Sequence, residues 1–145
     1  MTSPIFSDAD AKPRLFRWNG RIDVDELVDW VGRRDWTIPP DLLEFWAATG
    51  GGEAFESEVF PKPLVGKDDE DGVEHATTWR HSNGMLAGLI VFHEGLCYSA
   101  VRCQDQVYVS LDEEARITGQ YRSFGEWYRQ VLREEYAERY GLAPT

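Results

Sequence analysis

Hydrophobic residues recur at helical spacing near both ends of the chain and at strand spacing between them. Residues 23–33 carry a narrow apolar stripe, and residues 40–49 form a segment rich in leucine and aromatic side chains. Two prolines open the second segment and three glycines follow it; proline loses no hydrogen bond in a first turn, and glycine reaches left-handed φ. We therefore predict a helix over each segment. The first stripe consists of Leu27, Val28 and Val31, with Trp30 at its edge.

Strand patterns dominate the second half of the chain. Residues 86–92 are apolar on both alternations, which predicts a central strand covered on both faces. Residues 96–103 and 107–111 alternate apolar and polar side chains, and turn residues at 94–95 and 104–105 separate the three segments. This pattern predicts an antiparallel meander with one apolar face.

The middle of the chain is less regular. Residues 54–65 look extended, but Pro61 and Pro63 favour an edge strand or an irregular link. An acidic loop at residues 67–71 follows, and residues 72–81 are predicted to form a short helix.

The last helix has the clearest predicted start. Ser123 and Glu126 fit a capping box, in which each side chain accepts the backbone N–H of the other residue. Gly141 is predicted to end the helix, and the apolar side should pack on the meander. The apolar residues at helical spacing are Phe124, Trp127, Tyr128, Val131, Leu132 and Tyr136.

These elements predict an α+β fold, with a curved, mainly antiparallel sheet flanked by helices in a single domain. A chain of 145 residues is typical of one domain. We expect residues 1–17 to form an irregular arm, residues 18–141 the domain and residues 142–145 a tail. Cys97 and Cys103 would lie about 20 Å apart along one strand, beyond disulfide reach, and are predicted to be buried thiols.

The net charge limits the possible partners. There are 26 acidic and 15 basic residues, which give a net charge of −11. Such a surface repels nucleic acid and anionic membranes, so neither is predicted as a partner. It would steer a basic protein towards the chain, although the charge could serve solubility alone. No apolar run reaches the roughly 20 residues of a membrane span, no signal segment is visible, and the expected location is the cytosol.

Four stretches of the sequence resemble the SUKH superfamily. They are IPPDLLEFW (38–46), GGGE (50–53), GLIVFH (88–93) and SFGEW (123–127). This superfamily contains the fungal cell-wall-synthesis regulators of the Smi/Knr type and many bacterial immunity proteins that neutralise polymorphic toxins. The resemblance implies an α+β binding domain in the cytosol, with no catalytic residues to carry over. Because the toxin-binding surface of the family varies between members, the resemblance transfers no contact residue.

Patterns associated with catalysis or with metal binding are incomplete. A phosphate-binding loop requires a lysine after its glycines, and none follows the triple glycine here. Asp69 and Asp71 fit a calcium loop, but Lys67 and Thr78 stand where carboxylates are needed. The histidines lack zinc-site spacing, and no nucleophile-elbow motif is present. A catalytic triad whose residues are brought together only by the fold stays open. We predict no catalytic residue, metal or cofactor; a deep pocket with a perturbed histidine or glutamate would revive a small hydrolase.

Two functions follow from these observations. The first is a non-enzymatic immunity protein that binds a toxin, for which a basic nuclease is one candidate. The alternative is a regulatory or scaffold domain that binds an endogenous protein or peptide. Acidic residues and two tryptophans with polar neighbours are the candidate partner contacts: Glu56, Glu58, Asp68, Asp69, Glu70, Asp71, Asp112, Glu113, Glu114, Trp36 and Trp79.

Overall fold

Seven strands form one open antiparallel sheet in which each strand pairs with its neighbours along the sequence, from β1 at one edge to β7 at the other. The computed structural model describes residues 3–144. The strands are β1 (Phe16–Trp18), β2 (Gly52–Ala54), β3 (Glu58–Phe60), β4 (Leu89–Glu94), β5 (Tyr98–Arg102), β6 (Val107–Leu111) and β7 (Ile117–Tyr121). The helices are α1 (Pro4–Ala11), α2 (Val24–Arg33), α3 (Pro40–Thr49), α4 (Val73–Ser82) and a C-terminal helix, in which α5 (Phe124–Trp127), a π-helical turn (Tyr128–Arg133) and α6 (Glu134–Tyr140) follow without a break.

Helices cover both faces of this sheet, so the predicted α+β class is confirmed. Ile90 and Phe92 of β4 point into the larger core, which α1, α2, α3 and the C-terminal helix complete. Leu89 and Val91 point into a smaller core under α4. As predicted, β4 is covered on both faces. The prediction of one apolar face for the whole meander is wrong, because β5 and β6 are also buried on both faces.

The helices α2, α3 and α4 lie where the sequence predicts them. The carboxylate of Asp23 accepts two N–H groups of the first turn of α2, and Gly50 ends α3 with a φ of 68°. The stripe on α2 differs from the prediction, since Trp30 is 3% exposed and Val28 is 51% exposed. The ring of Trp30 lies in the core and packs edge-on against that of Trp46, with the ring centres 6.2 Å apart. None of the helices within residues 3–144 is long and apolar enough to cross a membrane.

The prediction of an irregular arm over residues 1–17 is wrong for the described part of that segment. Helix α1 buries Ile5 in the larger core and pairs Asp8 with Arg133 of the C-terminal helix. Strand β1 then pairs with β2 at the edge of the sheet. The first two residues lie outside the described range.

Strands β2 and β3 lie inside the sheet, which corrects the prediction of an edge strand or an irregular link over residues 54–65. Strand β2 pairs with both neighbours over three residues, whereas β3 joins β4 through the single pair Val59–Glu94. Pro61 and Pro63 come after β3, where a missing N–H interrupts no ladder.

The capping box of the C-terminal helix is half formed. The hydroxyl of Ser123 accepts the N–H of Glu126, as predicted. The carboxylate of Glu126 accepts the N–H of Arg122 rather than that of Ser123. Asp41 of α3 instead accepts the N–H of Phe124, so two helices are joined at this helix start.

The two cysteines flank β5 and both thiols are free. Each is half-buried rather than buried as predicted, and burial raises the pKa of both thiols. Both are therefore protonated and weakly reactive at neutral pH. Cys97 lies at the start of the strand, where the surface groove described next begins.

Candidate protein-binding groove

A groove of about 640 Å³ opens on the face of the sheet that α4 covers. Its walls come from the second half of α4, the β4–β5 turn at residues 94–97 and the end of β6. The lining residues are Trp79, Arg80, Glu94, Gly95, Leu96, Cys97, Tyr98, Leu111, Asp112, Glu113 and Thr118. The helix and the turn meet here because β4 and β5 form one hairpin and α4 packs against its first strand.

Two large apolar side chains stand exposed at the rim of the groove. Trp79 on α4 is 51% exposed, and Leu96 in the β4–β5 turn is 53% exposed. Partly exposed aromatic and aliphatic side chains beside a concave surface are the usual anchors of protein interfaces. The pair therefore gives the groove two positions at which a partner could bury apolar surface.

Arg80 is fixed against one wall of the groove. Its guanidinium lies 3.9 Å from the centre of the Tyr98 ring and 4.9 Å from that of the Trp79 ring. It also donates a 2.6 Å hydrogen bond to the carboxylate of Glu94. The stacking and the ion pair hold Arg80 in place, so the indole of Trp79 keeps a defined position at the rim.

Carboxylates outnumber guanidinium groups along the groove. Glu94, Asp112 and Glu113 line it together with one arginine, Arg80. Asp112 stays ionised because the backbone N–H groups of Arg116 and Glu114 and the Arg116 guanidinium lower its pKa. The groove therefore has the negative charge that a basic partner would match.

A chain of buried hydrogen bonds lies directly behind the β4–β5 turn. The indole of Trp127 donates to the hydroxyl of Ser99 at 3.0 Å, and Ser99 lies 3.0 Å from His93 Nδ1. His93 Nε2 lies 2.8 Å from the carboxylate of Glu58. An indole only donates, so every group in the chain has a partner when Ser99 donates to a neutral His93 that carries its proton on Nε2. Tyr136 donates a further bond to Glu58 at 2.6 Å.

The charge in this buried chain sits on Glu58. Burial by itself raises the pKa of Glu58, but the hydrogen bonds from His93, Tyr136 and the Leu96 N–H outweigh it and lower the pKa overall. Burial lowers the pKa of His93, and the neighbouring carboxylate opposes that shift only in part. At neutral pH the pair is therefore an ionised glutamate beside a neutral histidine.

Ser99, His93 and Glu58 stand in the order of a nucleophile, a base and an orienting acid. All three are at most 1% exposed, and none of them lines the groove. The hydroxyl of Ser99 also accepts the indole N–H, which a nucleophile would have to release. In this conformation the three residues hold a buried charge and fix neighbouring segments.

The groove brings together three of the residues that the sequence singles out as partner contacts: Trp79, Asp112 and Glu113. Glu114 lies beside them and pairs with Arg116. The acidic loop with Asp68, Asp69, Glu70 and Asp71 and the exposed residue Glu56 do not line this groove.

The structure corrects one of the predicted contacts and leaves another partly exposed. Glu58 is 1% exposed and fully engaged inside the protein, so a partner cannot touch it. Trp36 is half-buried, and its ring packs edge-on against Trp30 at 5.3 Å. Glu58 is therefore excluded as a contact, whereas Trp36 contributes to packing, does not line the groove and stays a predicted contact.

Eight of the eleven lining residues were not among the predicted contacts, and Arg80, Glu94 and Leu96 are three of these eight. The sequence signal that could have found Leu96 is a large apolar residue directly after the turn dipeptide Glu94-Gly95. No comparable signal marks Arg80, because an arginine near the end of a helix is ordinary. Within residues 3–144, no group of three or more histidine, cysteine, aspartate or glutamate side chains is arranged to hold a metal ion.

The fold resembles that of a protein from Pseudomonas syringae pv. tomato, which is known from its crystal structure. The two chains superpose with a TM-score of 0.60 at 15% sequence identity, over 89% of this chain and 98% of that chain. At this identity the likeness shows the fold alone. No family model and no curated protein matches the sequence, so membership of the SUKH superfamily stays a prediction.

Proposed function

We propose that this chain is a non-enzymatic binding domain, an immunity protein that neutralises a basic toxin domain in the cytosol. The observation that carries the proposal is the groove, where exposed Trp79 and Leu96 stand beside three carboxylates. Exposed large apolar side chains beside charged ones are typical of protein interfaces rather than of small-molecule sites. The assignment to toxin neutralisation comes from the resemblance of the sequence to immunity proteins.

The net charge of −11 supports a basic partner. Enzymes that degrade nucleic acids attract phosphates through clusters of lysine and arginine, and an acidic inhibitor competes for the same clusters. Complementary charge accelerates the encounter, and buried side chains such as Trp79 and Leu96 then slow dissociation. The complex should therefore form more slowly in high salt.

Co-expression with the product of the adjacent gene tests the proposal. We expect the wild-type protein to restore growth of cells that express the toxin, and purified samples to form a salt-sensitive complex. The double variant Trp79→Ala/Leu96→Ala should lose protection and bind at least tenfold more weakly, which corresponds to about 1.4 kcal/mol.

Val28→Ala is the matched control, because Val28 is an exposed apolar residue on α2, away from the groove. This variant should protect as well as the wild type. Protection that survives the double groove variant would move the interface elsewhere. A complex with an endogenous protein, without any protection from a toxin, would favour the regulatory alternative.

A further inference from the structure

The turn that presents Leu96 to the groove rests directly on the buried Glu58. The N–H of Leu96 donates to the Glu58 carboxylate at 3.2 Å. A methyl group added at the neighbouring Gly95 would lie 2.1 Å from the same carboxylate oxygen, so only glycine allows the turn to come this close. The exposed rim and the buried charge are thus in contact through one backbone segment.

The backbone ladder gives this turn little other support on the β3 side. Strands β3 and β4 share the single residue pair Val59–Glu94, next to the turn. The side chain of Glu58, the residue before Val59, supplies the missing connection. It is itself held by His93 at 2.8 Å and by Tyr136 of the C-terminal helix at 2.6 Å.

We infer that Glu58 is the positioning residue of the groove: its carboxylate holds the turn at residues 94–97 in the shape that presents Leu96 to a partner. This inference rests on the proposed function, because it gives the buried residue a role in partner binding. Glu58 itself touches no partner. Its removal should weaken binding although every side chain that lines the groove remains.

The thiol of Cys97 reports on this turn without any partner. Cys97 lies next to Leu96 and is half-buried in the wall of the groove. In a Cys103→Ser background, the rate constant of the Cys97 thiolate with Ellman's reagent under native conditions measures how far the turn exposes this thiol. It is taken from the pH dependence of labelling, because Glu58 also raises the pKa of Cys97. Glu58→Ala removes the acceptor of the Leu96 N–H, so we expect labelling of Cys97 to accelerate about tenfold or more.

A second variant tests the contact without removing the carboxylate. Gly95→Ala forces the turn and Glu58 apart, and it should also accelerate labelling of Cys97. Gly66→Ala is its control, because a methyl group there meets no atom within 4 Å. Asp8→Asn is the control for general loss of stability, since it weakens the buried ion pair between α1 and Arg133, and Asp8 hydrogen-bonds neither Glu58 nor the turn. Both controls should label at the wild-type rate.

Unchanged labelling in Glu58→Ala and Gly95→Ala, measured on folded samples, would overturn the inference. Equal acceleration in Asp8→Asn would overturn it as well, because opening would then follow global stability. Neither result concerns the toxin. Failure of the wild type to bind any toxin would count against the proposed function, whereas a toxin that binds the wild type and Glu58→Ala equally well would count against the positioning role alone.

Discussion

Asp8 in α1 and Arg133 in the C-terminal helix form a two-bond ion pair that is shielded from water. The guanidinium donates to the two carboxylate oxygens at 2.8 and 3.1 Å, and Tyr128 donates to one of them at 2.6 Å. The two residues stand 125 positions apart in the sequence. This pair therefore holds α1 against the C-terminal helix.

Replacing Asp8 tests how much this connection contributes. Asp8→Ala leaves Arg133 buried without its partner, and breaking such a pair typically costs about 3–5 kcal/mol of the free energy of unfolding. Asp10→Ala, at an exposed position on the same helix, should change it by less than about 0.5 kcal/mol. Urea denaturation measures both values. Equal effects of the two substitutions would show that the ion pair adds nothing to the stability of the domain.

The same pair shows where prediction from the sequence stops. Residues 1–17 have no strong helical stripe, and α1 gains its place from a partner near the other end of the chain. By contrast, α3 is predicted at both ends because its prolines and Gly50 act locally, through backbone geometry. Local signals in the sequence are enough to predict α2, α3, α4 and the start of the C-terminal helix. The positions of α1 and β1 depend instead on contacts with residues that are distant in the sequence.

The buried hydrogen-bond chain depends on an irregularity that no alternation reveals. A bulge between Val91 and His93 shifts the pairing of β4 with β5. Phe92 and His93 therefore both contact the ring of Trp127, at 4.7 and 5.0 Å, although consecutive strand residues normally face opposite ways. The N–H of Val91 donates to the hydroxyl of Thr77 of α4.

The groove was only partly predictable for a related reason. Trp79 stood out because of its polar neighbours, and Asp112 and Glu113 stood out by charge. Their meeting with Leu96 requires the pairing of β4, β5 and β6 and the docking of α4, which a single sequence does not give. Strand β7 was missed altogether, since its residues 117–121 carry little apolar alternation.

Acid should destabilise the domain through His93 and Glu58. Both have a pKa below the ordinary value in the folded protein, so the unfolded chain binds more protons than the folded one as the pH falls. For His93 the loss begins as the pH falls through the ordinary histidine value of 6.5, and Glu58 adds to it near 4.5. Thermal unfolding between pH 7.5 and 4.5 should show a falling Tm.

The histidine contribution can be isolated by substitution. His93→Gln should lower the Tm at pH 7.5 and flatten its decline between pH 7 and 5.5, because the titrating group is gone. His81→Gln, at an exposed position near the end of α4, is the matched control. A decline in His93→Gln as steep as in the wild type would assign the acid sensitivity to other groups.

Gly51 should tolerate no side chain. Its φ is 77°, and an added methyl group would lie 2.6 Å from the carbonyl oxygen of Phe60 and 2.7 Å from that of Pro61, both part of the backbone. Gly51→Ala should therefore lower the free energy of unfolding by about 1–3 kcal/mol. Gly66→Ala, in open space, should stay within about 0.5 kcal/mol of the wild type. Similar urea midpoints for the two variants would contradict the close approach.

Trp36 and Trp79 are both predicted contacts from the sequence, but we expect Trp36 to contribute to stability and Trp79 to binding. Trp36 is half-buried against Trp30, so Trp36→Ala should cost about 2 kcal/mol of stability, less than the roughly 3–5 kcal/mol of a fully buried aromatic side chain. Trp79 is 51% exposed, and Trp79→Ala should cost less than about 1 kcal/mol.

If the proposed toxin is the partner, the order of the two effects should reverse when affinity for it is measured. Trp79→Ala removes an anchor at the rim of the groove. We expect the Kd to rise at least tenfold, mainly through faster dissociation. Trp36→Ala should bind within about twofold of the wild type at a temperature where it stays folded, because its ring lies outside the groove. Surface plasmon resonance with immobilised toxin, alongside urea denaturation of each variant, gives both quantities. If Trp36→Ala lost affinity while Trp79→Ala kept it, the interface would lie on the side of α2 and α3, and the groove would have no part in binding.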